Sequence, residues 1–364
     1  MYLALNEMKK NKKKFSLILL IIVLISYLVF FLSGLADGLS NDKVSAINLW
    51  NGKEVVLNKD SNKNITRSFV NYKDMSEFKK SDPSAISIVR QSAFINDLQG
   101  EDDLVNIVVM GVEKNSYVDP TIIEGNIPTN EYEAVVSKDL VDEYNVKIND
   151  VLHLTKFDHS LKVVGISEAS KYGNTPVVYT NLKFTNDLYE QMLHGKHVEN
   201  KEDYVVNAFV LNQNNTNTIT NKDLEVVPMK EFIKKLPGYY AEQLTFLLMI
   251  GFLIVISAIV LGVFLFIITL QKKMAFGIMK IHGISSSYIA KSVFAQTLLM
   301  AVSGVLIGLF LTVLTGVSLP ASVPFKINAM YFAIMAILLV GTSLLGALFS
   351  MHSVSKIDPL EALE

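Results

Sequence analysis

The stretch LTFLLMIGFLIVISAIVLGVFLFIITL, residues 244–270, is apolar along its whole length and contains no charged residue. A helix needs about 20 apolar residues to cross the hydrocarbon core of a bilayer, so this stretch is long enough to span a membrane. Within lipid every backbone polar group needs a protein partner, and we therefore expect the stretch to be helical. It predicts a membrane protein.

Three further stretches share this length and apolar character, and one of them stands near the start of the chain. That first stretch is too long for the apolar part of a signal peptide, and no small-x-small cleavage pattern follows it. We therefore expect it to be retained as a helix. The predicted transmembrane helices are residues 15–36, 242–271, 291–319 and 327–351.

The residues between the first two predicted spans are polar. Residues 36–240 contain 22 basic and 30 acidic residues, whereas the rest of the chain has a net charge of +6. The chain has no cysteine, which excludes disulfide bonds and thiolate ligands. About 200 residues can bury a core without such cross-links. A folded domain, residues 37–241, is therefore predicted between the first and second helices.

Short β-branched runs fill this domain, among them KEVVL at 53–57, EAVVS at 133–137 and PVVYT at 176–180. Such runs between turn residues are typical of strands, and SKDLVDEYNV predicts a helix capped by Ser137. We also expect residues 37–50 to continue the first helix as a stalk. The predicted fold class is an α-helical membrane protein with four transmembrane helices and a large α+β extracytoplasmic domain between helices 1 and 2.

Basic residues indicate which ends of the helices face the cytoplasm. KKNKKK at 9–14 precedes the first helix, four lysines separate the second from the third, and His352 and Lys356 follow the fourth. Cytoplasmic loops carry an excess of Lys and Arg, which places both termini on the inside of the plasma membrane and the α+β domain outside it. The predicted cytoplasmic segments are 1–14, 272–290 and 352–364, and the predicted outer turn is 320–326.

Three motifs resemble those of a known family. GIMKIHGISSSYIAKSVFAQTLL at 277–299 is similar to the stretch after the second helix in the FtsX/MacB-type permeases of ABC exporters. EGNIPTNEYEAVVSKDLVDEYNVKINDVLHLT at 124–155 is similar to their outer domain, and SKIDPLEALE at 355–364 is similar to their tail. Asn149 replaces a usual glycine and His282 stands where a small residue is common. On these motifs the chain is identified as a member of the family.

The resemblance implies a permease subunit that works with two copies of a separate ABC ATPase. The residues agree, because no P-loop motif G-x-x-x-x-G-K-[ST] occurs and the chain therefore lacks that cradle for ATP phosphates. A short amphipathic coupling helix within 272–290 would dock into the ATPase, or alternatively lie on anionic lipid. Its predicted contact residues are Met274, Gly277, Ile278, Lys280, Ile281 and Gly283.

Helix packing and span number predict the assembly. Gly304 and Gly308 form a G-x-x-x-G pair, which permits a close helix contact and which we expect to act within the chain. Four spans are too few to enclose a substrate path, so a two-fold homodimer with eight spans is predicted. In that dimer an aromatic stripe of the first helix, Tyr27, Phe30 and Phe31, would line an apolar slot.

The cargo is predicted from short stretches such as YYAEQ and SLPASVPF, which resemble the heme-exporter permeases of the family. Glu242 is the only acidic residue between Glu231 and Asp358, and two tyrosines precede it. Tyrosine oxygen is an accepted axial ligand of heme iron, and carboxylate oxygen is a hard donor. The alternatives are an interfacial aromatic belt for the tyrosines, and a solvated stalk residue or a helix-dipole position for Glu242. The candidate heme-binding residues are Glu242, Tyr240, Tyr239, Met249, Tyr172, Tyr27, Phe30 and Phe31.

Three function classes remain open at this point: export of heme or another amphiphile, export of peptides or antibiotics, and a non-transporting mechanotransducer that controls an extracellular partner. No Ser-His-Asp or paired-carboxylate arrangement can be argued, so no catalysis is predicted within this chain. His194 and His197 have no accompanying ligand motif, so no metal site is predicted. We expect lipid and cargo contacts, no nucleic acid and no intrinsic cofactor.

Overall fold

The computed structural model describes residues 11–96, 104–157, 159–193, 198–216, 219–320 and 322–355. The chain divides into two compact units: a membrane unit, Met1–Gly38 with Gln243–Glu364, and an α+β unit, Leu39–Glu242. The α-helices of the described residues are α1 (Lys12–Leu49), α2 (Lys138–Tyr144), α3 (Leu182–Leu193), α4 (Met229–Lys235), α5 (Tyr239–Gln271), α6 (Lys273–Ile281), α7 (Ser286–Ser318) and α8 (Ala329–Ser355).

In the part of the chain that the structure describes, four helices are long and apolar enough to cross a membrane: Lys12–Leu49, Tyr239–Gln271, Ser286–Ser318 and Ala329–Gly346. The predicted fold class, four such helices with a mixed α and β domain between the first and second, is confirmed. Helix α1 continues to Leu49, as the predicted stalk required. The predicted segment 272–290 differs from the structure, because its helix ends at Ile281 and a new helix begins at Ser286.

Glycines of α7 allow a close helix contact in the membrane unit. A Cβ on Gly308 would lie 2.7 Å from Ser26 Cβ and 2.9 Å from the backbone nitrogen of Tyr27, and a Cβ on Gly304 would meet Ile22 at 2.5 Å. The pair therefore packs α7 against α1 within one chain, as expected. Gly346 of α8 lies in the same way against Gly262 of α5.

The α+β unit is built on a mixed sheet in the order β13-β1-β12-β3-β4-β10-β6-β8-β5, with β7 and β9 attached to its side. The β10–β4 and β6–β8 pairs are parallel and the other pairs are antiparallel. The strands are β1 (Glu54–Asn58), β2 (Val70–Asn71), β3 (Pro83–Ile95), β4 (Val105–Val112), β5 (Ile122–Gly125), β6 (Glu133–Ser137), β7 (Val151–Leu154), β8 (Ser160–Ser167), β9 (Lys171–Tyr172), β10 (Thr175–Asn181), β11 (Val205–Val206), β12 (Ala208–Leu211) and β13 (Leu224–Pro228).

The last turns of α1 cover one face of this sheet. Val44 and Ile47 join a buried cluster with side chains of β3, β4 and β10, and Trp50, fully buried, stacks on Phe232 of α4 at 6.4 Å between ring centroids. Burying side chains of this size is the main stabilising contribution of such a cluster, roughly 1.5–3 kcal/mol for each large apolar side chain. The end of α1 is thus part of the domain's core.

A buried lysine fixes the same segment by charge. The Lys171 ammonium of β9 lies 2.6 Å from a Glu143 oxygen of α2 and 3.0 Å from an Asp42 oxygen of α1. Burial alone would lower the pKa of Lys171, but the hydrogen bonds to Glu143 and Asp42 outweigh burial and raise it. The lysine therefore stays charged and joins three elements of the α+β unit.

Candidate functional site

Glu242 is paired in the structure. Its carboxylate accepts a hydrogen bond from the ammonium of Lys43 on α1, and the exposed fractions of the two side chains are 22% for Glu242 and 12% for Lys43. The backbone N–H of Glu242 donates to the carbonyl of Gly238 at 3.0 Å, which places the carboxylate in the first turn of α5. An acidic side chain there is favoured by the helix dipole. Iron could bind this carboxylate only if the ion pair opened or shared an oxygen.

The turn between β9 and β10 contacts the same part of α1. The backbone N–H of Gly173 donates to the carbonyl oxygen of Lys43 at 3.0 Å. Gly173 and Asn174 both adopt positive φ, 59° and 68°, a conformation that Gly and Asn accept more readily than other residues. The turn thereby holds Tyr172, the residue before it, against the core.

Tyr172 does not fit the role of a direct iron ligand in this structure. Only 3% of it is exposed, and it belongs to the cluster around Trp50. Burial raises the pKa of the Tyr172 phenol, which opposes formation of the phenolate that binds ferric iron, although the nearby charge of Arg90 lowers it in part. The guanidinium carbon of Arg90 lies 5.6 Å from the centre of the Tyr172 ring. The ring is a platform for this arginine.

The two tyrosines at the start of α5 differ from each other. Tyr240 is 60% exposed, whereas Tyr239 is partly buried and packs against the cluster that contains Trp50. Of the predicted phenol ligands in the α+β unit, Tyr240 is therefore the one with an accessible side chain.

The predicted aromatic stripe of α1 is occupied by its own chain. Phe30 is fully buried and lies 5.6 Å from the Phe332 ring of α8. Phe31 stacks on Phe325 at 5.5 Å and on Tyr27 at 5.8 Å, and the Tyr27 hydroxyl lies 3.3 Å from the Thr315 hydroxyl. The expectation of an open slot is thus corrected, because Phe325 and α8 already fill the stripe.

Helix α5 presents the opposite situation. Of its membrane-spanning window 22% is buried, against 39% for α1 and for α7 and 28% for α8. Met249, a predicted cargo residue, is 43% exposed. The exposed apolar face of α5, defined here as Leu247, Leu248, Phe252, Val255, Ile256 and Ile259, carries exposed fractions from 50% to 66%.

Helix α6 separates its buried and exposed sides sharply. Phe276 is 1% exposed and packs with Ile289 of α7, whereas Met274, Ile278 and Ile281 are 61%, 41% and 53% exposed. These three residues are spaced i, i+4 and i+7, which puts them on one side of the helix. Of the other predicted contacts, Gly277 is buried and Lys280 is partly buried. The face is apolar, and no described residue of the chain covers it.

A Schellman motif ends α6. The N–H of Ile284 donates to Met279 O and the N–H of Gly283 to Lys280 O, both at 3.0 Å, while Gly283 adopts φ +82°. Ser285 then caps α7 by accepting from the backbone N–H of Tyr288 at 3.3 Å. These two caps explain why the predicted coupling segment is a nine-residue helix followed by a tight turn.

Elsewhere in the α+β unit, two lysines that line a cleft are paired with carboxylates. A cleft between the ends of β4 and β10 is lined by Lys114, Lys183 and Lys201, but Lys183 pairs with Glu131 and Lys201 with Glu113 at 2.7 Å. Within the described ranges no group of three or more His, Cys, Asp or Glu could hold a metal ion, and His194 and His197 lie outside those ranges.

Sequence reasoning missed Lys43 and Arg90. Lys43 stands in the predicted stalk, 199 residues before Glu242, so no local spacing connects the pair. Arg90 carried a weak signal, since the chain has only two arginines, Arg67 and Arg90, among 33 basic residues.

Comparison with known proteins gives related permeases. Residues 247–359 match the family model described as FtsX-like permease C-terminal. The chain is 27% identical over 365 residues to a Staphylococcus haemolyticus protein that bears the name of a hemin transport system permease protein, HrtB, covering 100% of this chain and 99% of the relative. A Staphylococcus epidermidis protein of the same name is 27% identical over 369 residues, with the same coverage.

Two solved structures were also found. The extracellular domain of the noncanonic ABC-type transporter YknZ from Gram-positive bacteria has a TM-score of 0.32 and 11% identity, over 48% of this chain and 98% of that one. The periplasmic region of MacB from Actinobacillus actinomycetemcomitans has a TM-score of 0.34 and 10% identity, over 55% of this chain and 99% of that one. The chain is thus similar to the FtsX-like permeases of ABC transporters, through the family-model match over residues 247–359 and the full-length relatives, and it has four helices of membrane length among its described residues.

Proposed function

We propose that this chain is the permease subunit of an ABC exporter that removes heme from the membrane or cytoplasm. The observation that carries the proposal is the exposed apolar face of α5, which has Met249 beside it. Heme is a flat apolar macrocycle whose iron accepts thioether, phenolate or carboxylate donors. The relatives named for hemin transport support the same cargo. At the start of α5, Tyr240 and Glu242 supply the oxygen donors.

The working unit of this proposal is a homodimer. An apolar helix face this exposed is covered in the membrane by lipid or by protein, and a second copy of α5 across a two-fold axis would bury both faces. Heme would enter between the two faces, where apolar surface binds the macrocycle. This arrangement leaves the filled stripe of α1 as a packing element.

A separate ATPase supplies the energy, and α6 is its docking element. The apolar side of α6, Met274, Ile278 and Ile281, fits a hydrophobic groove in the manner of an amphipathic helix. The basic residues at the ends of the spans favour a cytoplasmic α6, cytoplasmic termini and an α+β unit on the outside of the plasma membrane.

The proposal is tested in a strain that lacks this permease, complemented with variants and grown on graded hemin. We expect Glu242→Gln, Tyr240→Phe and Met249→Leu to raise hemin sensitivity and lower the heme content of purified protein, with the Tyr240→Phe and Glu242→Gln double variant affected more than either. The matched control is Lys43→Gln, which breaks the same ion pair but keeps the carboxylate. It should retain heme.

Equal loss in Lys43→Gln and Glu242→Gln would assign Glu242 to the ion pair alone. Wild-type growth on hemin that is no better than that of the deletion strain would overturn the heme proposal. A peptide or antibiotic cargo would then be examined with the same strains. Tyr288→Phe, which alters an exposed tyrosine at the start of α7, controls for loss of a phenol in general.

A further inference from the structure

We infer that Arg90 binds a carboxylate of the cargo. The cargo would then be an amphiphilic acid, with an apolar body and a carboxylate. The inference rests on the proposed function, since the two propionates of heme are such carboxylates. It concerns a residue of the sheet that no sequence motif marked.

Arg90 lies on β3 at the margin of the buried cluster. It is paired across the sheet with Val108 of β4, and the next residue on the same face of β3, Ile88, is 2% exposed. Arg90 itself is exposed. The strand therefore fixes the backbone of this arginine while its side chain reaches past the edge of the core.

Two neighbours hold the guanidinium in place. Its carbon lies 5.6 Å from the centre of the buried Tyr172 ring, a cation–π contact. A Cβ added to Gly173 would lie 2.7 Å from Arg90 Nη2, so the glycine at this turn makes room for the side chain. Both neighbours contact Arg90 by packing, and neither accepts a hydrogen bond from its guanidinium N–H groups.

Those donors have no partner within the described part of the chain, where the guanidinium makes neither a hydrogen bond nor an ion pair. Guanidinium offers five N–H donors in a planar fork that matches carboxylate in a bidentate manner. The other two cations next to this turn are paired with carboxylates, Lys43 with Glu242 and Lys171 in the ion pairs described above. Arg90 is therefore the cation at the turn that an incoming carboxylate would meet.

Arg90 is connected to the proposed iron ligand through successive contacts at this turn. Gly173, which packs on Arg90, donates its N–H to the carbonyl of Lys43, and the Lys43 ammonium holds Glu242. Arg90 and Glu242 are thus linked through two intervening residues of the α+β unit. A ligand with a metal centre and a peripheral carboxylate presents the two complementary groups.

The test uses full-length purified protein and two matched pairs of probes: hemin against hemin dimethyl ester, and dodecanoate against dodecanol. The variants are Arg90→Gln and Arg90→Lys, with Arg67→Gln as the control for loss of an exposed arginine. A hydrogen bond to a charged group predicts that Arg90→Gln weakens hemin binding about tenfold to a hundredfold. Arg90→Lys should recover part of this loss. The ester should bind wild type and Arg90→Gln equally.

The outcomes separate the two proposals. Unchanged hemin affinity in Arg90→Gln, or an equal loss for hemin and its ester, overturns the carboxylate site while heme export stands. Absence of hemin binding to wild type overturns the heme cargo, and the fatty pair then decides: dodecanoate binding that depends on Arg90, with no such dependence for dodecanol, supports the site. Dodecanoate binding that does not depend on Arg90 overturns the carboxylate site. Unchanged thermal unfolding of Arg90→Gln excludes a folding defect.

Discussion

Two apolar helix faces of the membrane unit are similar in composition, but one is buried within the chain and the other is exposed. On α1, Val29 and Phe30 are fully buried and Phe31 is stacked between two rings of its own chain. On α5, Leu247, Phe252 and Ile259 are 66%, 64% and 60% exposed. The difference shows that the apolar side chains of a membrane helix do not by themselves determine what covers them. The residues opposite them do.

The residues that face α1 are glycines of α7 and a phenylalanine ring that fits between the helices. Gly304 and Gly308 of α7 let the two backbones approach, and Phe325 fits where a Cβ on Gly34 or on Gly316 would lie within 2.4 Å of its ring. Lipid tails are as apolar as leucine, so close packing of this kind is what associates helices in a membrane. On α5, by contrast, a Cβ on Gly251 would meet no atom within 4 Å.

The largest effect is expected where a new side chain would meet the backbone of a neighbouring helix. Gly308→Leu would drive a side chain into the backbone of α1 at Tyr27 and Val23, which cannot move aside as a side chain can. Overpacking commonly costs about 1–3 kcal/mol, and we expect about 3 kcal/mol here. Thermal unfolding in detergent should show it. Gly251→Leu, which meets empty space in the chain, is the control and should leave the unfolding temperature of the monomer unchanged.

A smaller loss of stability is expected when the ring that covers the aromatic stripe of α1 is removed. Phe325→Ala removes a half-buried ring that stacks on Phe31 and lies against two glycines. Complete burial would predict about 3–5 kcal/mol, and partial exposure reduces our expectation to about 2 kcal/mol. Phe252→Ala on α5 should cost the isolated chain almost nothing. Equal destabilisation by the two changes would show that the faces do not differ.

Much of this fold is predictable because its signals are local. An uncharged stretch of membrane length and an i, i+4, i+7 apolar pattern each lie within one segment, so the four spans and the exposed side of α6 follow from the sequence. The Lys43–Glu242 pair, the Phe325 insertion and the burial of Tyr172 depend on residues far apart in the chain. Periodicity and composition contain no information about such partners, and for this reason the sequence pattern predicts an open slot at Phe30 and does not mark Arg90.

A third, smaller effect is expected at the turn after α6. It tests whether the exposed apolar face of α6 binds another protein. Gly283→Val places a β-branched residue at φ +82°, a conformation that costs an L-residue roughly 1–2 kcal/mol. We expect co-purification of the ATPase to fall while the unfolding temperature changes little. Gly283→Asn is the control, because asparagine tolerates this backbone conformation and should keep the partner. Normal co-purification and transport in Gly283→Val would remove α6 as the docking element.

The last change should hardly affect the stability of the single chain, but it tests what covers α5. The chain has no cysteine, so Leu247→Cys introduces a unique thiol on the exposed apolar face of α5. If a second copy covers this face, mild oxidation in membranes should produce a disulfide-linked dimer, because a residue close to the two-fold axis lies close to its own copy. Leu24→Cys on α1 is the control, since that leucine is 52% exposed but belongs to the helix whose stripe is already filled. A dimer from Leu247→Cys with little from Leu24→Cys would show that α5 faces α5. Efficient cross-linking through Leu24 alone would move the interface to α1, and the cargo path proposed along α5 would fall with it.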